Sequence, residues 1–221
     1  MIKKQAFIPS EYDKGIAITL PYYEDFFQQI TDITAISLHK PVSWLDIGCG
    51  TGKMAENAFE KLKIKKMICC DISSEMLKAA KKRNAFSNIK FLEKSVQKID
   101  YISEFDVITA ILVNHYLSYE ERLISVKNCY NALKKDGLYF TVENFAPDNE
   151  VHKSLYLERW KHYQYMNGKS EEECEKHILR YNIKYFPVTI KEQIKILNKC
   201  GFKKAEIFWC SYMQVGILAI K

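Results

Sequence analysis

Residues 44–53 read WLDIGCGTGK, and this stretch decides the fold. An apolar run meets the acid Asp46, and glycines then follow at every second position, 48, 50 and 52. Glycine accepts left-handed backbone conformations and lets the main chain approach a ligand closely. The pattern therefore predicts a strand that ends in a tight, ligand-binding turn and leads into a helix.

Two nucleotide-binding loops do not match this turn. A phosphate-binding loop requires G-x-x-x-x-G-K-[ST], but Met54 follows Lys53, and no glycine lies five residues before Gly52. A dinucleotide fingerprint requires G-x-G-x-x-G, and Lys53 occupies its third glycine position. The remaining pattern, G-x-G-x-G after an acid, suits a ligand without pyrophosphate. An amino-acid tail joined to a nucleoside fits it, because the acid can meet an ammonium group.

Short apolar runs alternate with helical patterns along the chain. The strand-like runs lie at 42–48, 65–72, 89–95, 105–112 and 137–144, with KMAENAFEKLK, SSEMLKAAKKRNA and EERLISVKNCYNALKK as helices between them. Ser73 or Ser74 is predicted to cap the second helix, and Gly137 to end the third. Apolar strands linked by helices indicate a mostly parallel sheet covered on both faces, which is a doubly wound α/β fold.

The two ends depart from this alternation. Residues 1–40 contain an aromatic-rich helical stretch that we expect to cover the sheet, and residues 147–186 form a ring-rich helical insertion. A helix then ends at Gly201, and two strands without an intervening helix finish the chain, so they must be antiparallel. We expect 1–221 to form a single domain.

Composition restricts the class of protein. The chain has 221 residues, of which 48% are hydrophobic and 27% charged, as in soluble globular domains. No apolar run reaches the roughly 20 residues of a membrane span, and no secretory signal follows the N-terminal lysines. Seven cysteines without a C-x-x-C pair predict buried free thiols in a reducing cytoplasm. No metal site is predicted.

The net charge of +6 is unevenly distributed. Residues 53–98 hold twelve Lys and Arg against five Asp and Glu, whereas residues 147–186 hold seven of each. A lysine-rich solvated face and a nucleic-acid footprint are both compatible with this pattern.

Asp71 is the second indication of the ligand. It follows the apolar strand KKMICC, where a carboxylate can accept both hydroxyls of a ribose. Together, LDIGCGTG, CCDISSEML, FDVITAILVNHYL, YNALKKDGLYF and LNKCGFKKAEIFW resemble the class I S-adenosylmethionine-dependent methyltransferases over roughly 42–146 and 187–221. The resemblance implies S-adenosylmethionine as cofactor, S-adenosylhomocysteine as product, and a seven-stranded sheet whose last strand is antiparallel.

The resemblance also implies roles for individual residues. The methionine part of the cofactor would lie against the glycine loop, the ribose against Asp71, and the adenine near the end of the third strand. A tyrosine of the N-terminal segment would close over the cofactor. The implied cofactor-binding residues are Tyr12, Asp46, Gly48, Cys49, Gly50, Gly52, Asp71, Ile72, Met76, Ser95, Val96 and Ile111. Ser95 departs from the family, which commonly has an acid at that position.

Catalytic candidates follow the fourth and fifth strands, because ligands bind beyond the carboxyl ends of parallel strands. His115 is a candidate base and Glu143 a candidate proton acceptor or cation ligand, although each is also an ordinary structural residue. Tyr22 is a third candidate, on the N-terminal cover. Rings at Tyr156, Trp160 and Tyr163 share one helix face, as core packing or as a pocket wall.

Three functions remain open from the sequence. The first is methyl transfer to a small molecule under a cover that carries no net charge. The second is modification of nucleic acid, either by methylating RNA or by forming carboxy-S-adenosylmethionine for tRNA. The third is binding of the cofactor without catalysis. A membrane partner is not predicted.

Overall fold

The structure is a computed structural model that describes residues 9–221, with side chains described from residue 12 onwards. Residues 1–8 of the predicted N-terminal cover lie outside the described residues. The strands are β1 (Val42–Ile47), β2 (Ile64–Asp71), β3 (Ile89–Glu93), β4 (Phe105–Ile111), β5 (Leu133–Asn144), β6 (Lys204–Ser211) and β7 (Gln214–Ile220). The helices are α1 (Pro9–Thr19), α2 (Asp25–Ser37), α3 (Lys53–Lys61), α4 (Ser74–Arg83), α5 (Tyr119–Ala132), α6 (Glu150–Met166), α7 (Glu171–Ile178) and α8 (Ile190–Cys200).

The seven strands form one sheet in the order β3-β2-β1-β4-β5-β7-β6. The first five are parallel, and β7 is antiparallel to both β5 and β6. Every residue of β1 is buried, and β4 is buried except at its last residue, as expected for central strands covered on both faces. The predicted doubly wound fold with an antiparallel last strand is confirmed.

Two apolar layers hold the helices against the sheet. One lies between the sheet and α2, α3 and α4, and it contains Trp44 and Phe26. The other lies under α5 and α8, and it contains Phe105, Tyr139 and Phe202. Trp44 satisfies its indole by donating Nε1–H to the Oγ1 of Thr109, 2.9 Å away. Alternate residues of each strand therefore face different helix layers.

The boundary between α5 and β5 differs from the sequence prediction. The helix ends at Ala132, and Leu133 already pairs with Phe105 of β4, so Gly137 does not cap the helix. A Cβ at Gly137 would lie 2.9 Å from both the side chain of Leu133 and the carbonyl oxygen of Lys134. Glycine is thus required there for close packing within the strand.

The insertion between β5 and α8 contains α6, α7 and a connection at residues 179–189, called here the cover segment. Trp160 of α6 is fully buried, and its Nε1–H donates to the carbonyl oxygen of Thr19, at the end of α1 (2.7 Å). This bond joins the insertion to the N-terminal helix. Within residues 9–221, no helix has the length and apolar character needed to cross a membrane.

Candidate functional site

A cavity of about 720 Å³ opens beyond the carboxyl ends of β1, β2 and β4. A second, smaller cavity of about 30 Å³ lies beside it, under the glycine loop. Tyr12, Gly48, Gly50, Ile111 and Leu112 line both cavities. The position agrees with the rule that ligands of open α/β sheets bind at the carboxyl ends of strands.

The glycines of the loop have different surroundings. Gly50 lines both cavities with φ +53°, and a Cβ there would meet no atom within 4 Å, so its backbone is open to a ligand. Gly52, with φ +81°, lines neither cavity and is the N-cap residue of α3. A Cβ on Gly52 would lie 2.5 Å from the Nδ2 of Asn84, which donates to the Gly52 carbonyl. Gly52 therefore fits the loop against α4.

Asp71 joins the loop to the end of β2. Its Oδ2 accepts from the Gly50 N–H (3.0 Å) and its Oδ1 from the Ser73 N–H (2.8 Å). Burial raises the pKa of this carboxyl, and the backbone donors at Ser73, Gly50 and Ile72 oppose that rise. Each carboxylate oxygen retains a lone pair, so the pair can also accept two vicinal hydroxyl groups from the large cavity.

Asp46 lies at the base of the small cavity and is almost fully buried. Its Oδ1 accepts from the Oγ1 of Thr109 at 2.7 Å, while Oδ2 has no hydrogen-bond partner among the described residues. Burial raises the pKa of Asp46 to about 7, although the Thr109 hydrogen bond lowers it. A buried carboxylate oxygen without a partner is costly, and a ligand ammonium in the small cavity would satisfy it.

The remaining predicted cofactor residues surround the same space. Ser95 caps the 3₁₀ turn Val96–Lys98 by accepting from the Gln97 N–H, and both Ser95 and Val96 line the large cavity. Of the predicted set, the large cavity is lined by Tyr12, Gly48, Gly50, Asp71, Ile72, Met76, Ser95, Val96 and Ile111. Asp46 and Cys49 line the small cavity.

Helix α1 is tied over the glycine loop by a polar triad. The Asp13 carboxylate accepts from the Thr51 hydroxyl at 2.7 Å and pairs with the Arg83 guanidinium. Arg83 also donates to the Thr51 carbonyl and hydroxyl, at 3.1 and 2.8 Å. This triad holds Tyr12 at the junction of the two cavities.

His115 and Glu143 form a buried pair behind the cavity wall. The Nδ1 of His115 lies 2.6 Å from Glu143 Oε2, and Glu143 also accepts from the backbone N–H groups of Asn114 and His115. Burial raises the pKa of Glu143, but His115 and the Arg122 charge outweigh it, so the pKa is lowered. Neither side chain lines either of the two cavities described above, and both residues are at most 1% exposed. Their catalytic role stays a prediction, and the geometry gives them a supporting position.

The aromatic residues Tyr22, Trp160 and Tyr163, considered as catalytic or pocket-wall residues, do not line the two cavities. Tyr22 is 65% exposed and lines neither cavity. Trp160 is buried in the core and Tyr163 packs edge-on against Tyr212, so neither forms the cavity wall. Phe186 of the cover segment lines the large cavity instead.

Tyr116 is a cavity residue that the sequence analysis missed. It lines the large cavity one residue after His115. Burial raises the pKa of its phenol, and the charge and hydrogen bond of the Arg180 guanidinium lower it in part. Lys184, from the same cover segment as Arg180, lines the cavity as well. For Tyr116, the position directly after β4 was the signal available in the sequence, but only His115 was considered as a catalytic residue there.

Comparisons with known proteins identify the family of the chain. The family model described as "Methyltransferase domain" matches residues 45–137. The chain is 26% identical over 217 residues to a carboxy-S-adenosyl-L-methionine synthase of Staphylococcus epidermidis, covering 96% of this chain and 93% of the relative. It is 30% identical over 171 residues to a demethylmenaquinone methyltransferase of Chlorobaculum parvum, covering 74% and 67%. The structure of the YcgJ protein of Bacillus subtilis shares the fold, with a TM-score of 0.61, 18% identity and coverage of 82% and 70%.

The chain belongs to the class I S-adenosylmethionine-dependent methyltransferases. It is an enzyme of that family, and S-adenosylmethionine is its cofactor. The residues present fit this group: the orphaned Asp46 Oδ2 suits its ammonium, and the open Gly50 backbone suits its amino-acid tail. The Asp71 carboxylate retains the lone pairs that a ribose diol needs. When bound, the cofactor supplies an activated methyl group on a sulfonium.

Proposed function

We propose that this enzyme transfers a methyl group to a small, negatively charged organic acceptor. The observation that carries the proposal is the hydrogen bond between the Arg180 guanidinium and Tyr116, at the wall of the large cavity. Lys184 lines the cavity and adds a positive charge there, whereas Arg180 acts through its contact with Tyr116. An acidic group can be recognised there by charge and by hydrogen bonding together.

The cavity suits transfer by alignment. Burial raises the pKa of both the Tyr12 and the Tyr116 phenols, so they stay protonated near neutral pH and serve as hydrogen-bond donors. Among the described lining residues, Asp71 and Glu121 already accept backbone N–H groups. A carboxylate oxygen carries no proton at neutral pH, so such an acceptor needs no base. Holding acceptor and methyl group nearly in line can supply much of the rate enhancement.

A second candidate is formation of carboxy-S-adenosylmethionine. It is favoured by the S. epidermidis relative, which carries that name and aligns over 96% of this chain. A carboxylated cofactor also brings a negative charge into the large cavity, where Lys184 and the Tyr116 phenol that Arg180 contacts can meet it. The two candidates therefore share a site and differ in product.

A nucleic-acid acceptor has less support. Several exposed lysines of the basic stretch, such as Lys61, Lys63 and Lys90, lie where α3 ends and where β2 and β3 begin. That is the amino end of the parallel strands, opposite the cavity. A phosphate backbone held there would not reach the methyl group.

We further propose a reducing cytoplasmic compartment for this enzyme. All seven cysteines are free thiols, and six of them are buried. In oxidising compartments disulfides form and persist, so an absence of pairing among seven cysteines favours reducing conditions.

The proposal is tested with methyl-labelled S-adenosylmethionine and a panel of small carboxylic acids, each beside its neutral amide. We expect label to enter acids only, with S-adenosylhomocysteine as co-product. Lys184→Gln should weaken use of the acid, whereas Lys204→Gln, an exposed lysine on β6, should not. Equal use of acids and amides would contradict the proposal. Mass spectrometry of the cofactor separates the second candidate, which predicts a carboxylated cofactor.

A further inference from the structure

Three hydrogen bonds join the cavity-lining end of the cover segment to the residues that follow β4 and β5 and to α5. The Phe186 N–H donates to the carbonyl oxygen of His115 at 2.5 Å, and the Ala146 N–H donates to the carbonyl oxygen of Val188 at 2.9 Å. The third donor is a side chain: Arg122 Nη2 donates to the Phe186 carbonyl oxygen at 2.8 Å. Phe186 lines the large cavity together with Tyr116 and Lys184, and this part of the cavity is called here its acceptor end. The three bonds therefore set the shape of the acceptor end.

The peptide that Arg122 holds has a single polar group. Pro187 follows Phe186 and has no N–H, so the Phe186 carbonyl is the only hydrogen-bonding group of that peptide unit. Arg122 is therefore the contact that fixes the orientation of this unit. The two neighbouring bonds are made by backbone alone and do not depend on side-chain identity.

Burying the charged Arg122 side chain costs free energy of folding. Arg122 lies on α5 and is fully buried, and its Nη1 donates to Gln193 Oε1 of α8 at 3.2 Å. Burial lowers the pKa of the guanidinium, against the charge of Glu143. Glu143, whose charge acts on Arg122, pairs with His115 instead. Replacing buried ionic groups by apolar side chains of similar volume often leaves a protein equally stable. The stability of the fold alone therefore does not explain why position 122 is an arginine.

We propose that Arg122 is a positioning residue that holds the cover segment against the acceptor end of the cavity. It joins α5, α8 and the Phe186 peptide through donors set in one rigid plane. The proposal rests on the proposed function only for the identity of the acceptor. The position of the segment can be measured without any acceptor.

The first test compares Arg122→Met and Arg122→Lys by amide hydrogen exchange, with S-adenosylhomocysteine binding measured in parallel. In Arg122→Met, exchange in peptides covering residues 179–189 should accelerate by at least about tenfold, because a hydrogen bond to a charged donor is lost. The Kd for S-adenosylhomocysteine should stay within about twofold, since the cofactor residues are held by the glycine loop and β2. Arg122→Lys should be intermediate, because an ammonium lacks the planar fork.

Lys127→Met is the matched control. Lys127 lies on the same helix and donates to a carbonyl of α8, that of Cys200, at 3.1 Å, but it contacts no part of the cover segment in the described structure. It should leave exchange at 179–189 unchanged. If Arg122→Met does not fold, Gln193→Met provides the same comparison, because it removes the amide that orients Arg122.

Unchanged exchange at 179–189 would overturn the proposal, and so would an equal rise throughout α5 and β4, which would indicate general destabilisation. Methylguanidinium added to Arg122→Ala should restore protection of the segment, and no restoration also counts against the proposal. With an acid acceptor from the panel, Arg122→Met should raise KM for that acceptor more than it lowers kcat. If the panel yields no acceptor, the exchange results still decide the role of Arg122.

Discussion

Replacing Asp71 by Asn should weaken cofactor binding by a factor that the structure allows to be worked out. Both carboxylate oxygens already accept a backbone N–H, from Gly50 and Ser73. Each ribose hydroxyl adds a hydrogen bond to a charged acceptor, worth about 1.5–3 kcal/mol. Asparagine keeps one acceptor and loses the charge, so the loss should be about 2–3 kcal/mol, or about 30- to 150-fold in Kd.

The assay is isothermal titration calorimetry with S-adenosylhomocysteine, alongside thermal unfolding of each variant. Asp106→Asn is the matched control, because Asp106 also accepts a backbone N–H, from Ser43 at 2.9 Å, and pairs with Lys40 and Lys134. It lies at the amino end of β4, away from the cavity. Asp106→Asn should lower the unfolding temperature and leave the Kd unchanged.

Two outcomes would refute this reasoning. A Kd for Asp71→Asn within about threefold of the wild type, with the fold intact, would remove the ribose assignment. An equal loss of affinity in Asp106→Asn would show that the effect arises from weakened folding.

The remaining predictions concern the loop, α1 and the buried pair. Because burial raises the pKa of Asp46 to about 7, the folded cofactor-free protein binds more protons there than the unfolded chain, and stability should fall as pH rises from about 4 to about 7. Asp46→Asn should abolish that fall in chemical denaturation, and an unchanged pH profile would contradict it. Asp13→Asn should speed S-adenosylhomocysteine dissociation by up to about tenfold by loosening α1, with a double-mutant cycle against Arg83→Met measuring the coupling. If His115 only supports the wall, His115→Asn should change kcat by less than about tenfold without altering the pH–rate profile, and loss of one limb of that profile would instead indicate a base.

The fold could be predicted from the sequence because its determinants are local and periodic. β1 reads as an apolar run closed by Asp46 and a glycine turn, and the tight link between the last two strands required them to be antiparallel. The end of α5 could not be placed. The residues LKKD before Gly137 suit a helix terminus, and the pairing of Leu133 with Phe105, a contact between distant parts of the chain, overrides that preference.

The residues predicted to bind the methyl-donating cofactor could be identified from the sequence for the same reason. These residues belong to a contiguous loop and the end of the next strand, so their spacing carries the chemistry. The proposed acceptor half is assembled from distant segments. Arg180 meets Tyr116, and Arg122 holds Phe186, across separations of about sixty residues that no local pattern records.

The same division applies to His115 and Glu143, whose catalytic role stays a prediction. His115 and Glu143 follow β4 and β5, where parallel sheets carry their chemistry, yet their side chains turn inward and stabilise the turn that presents Tyr116. The His115 carbonyl oxygen of this turn accepts from the Phe186 N–H, and Arg122 donates to the Phe186 carbonyl oxygen. The buried pair and Arg122 therefore both help to hold Phe186 of the cover segment. A change in acceptor preference is therefore expected from substitutions in the cover segment and in its anchors, while the glycine loop and Asp71 continue to determine the donor.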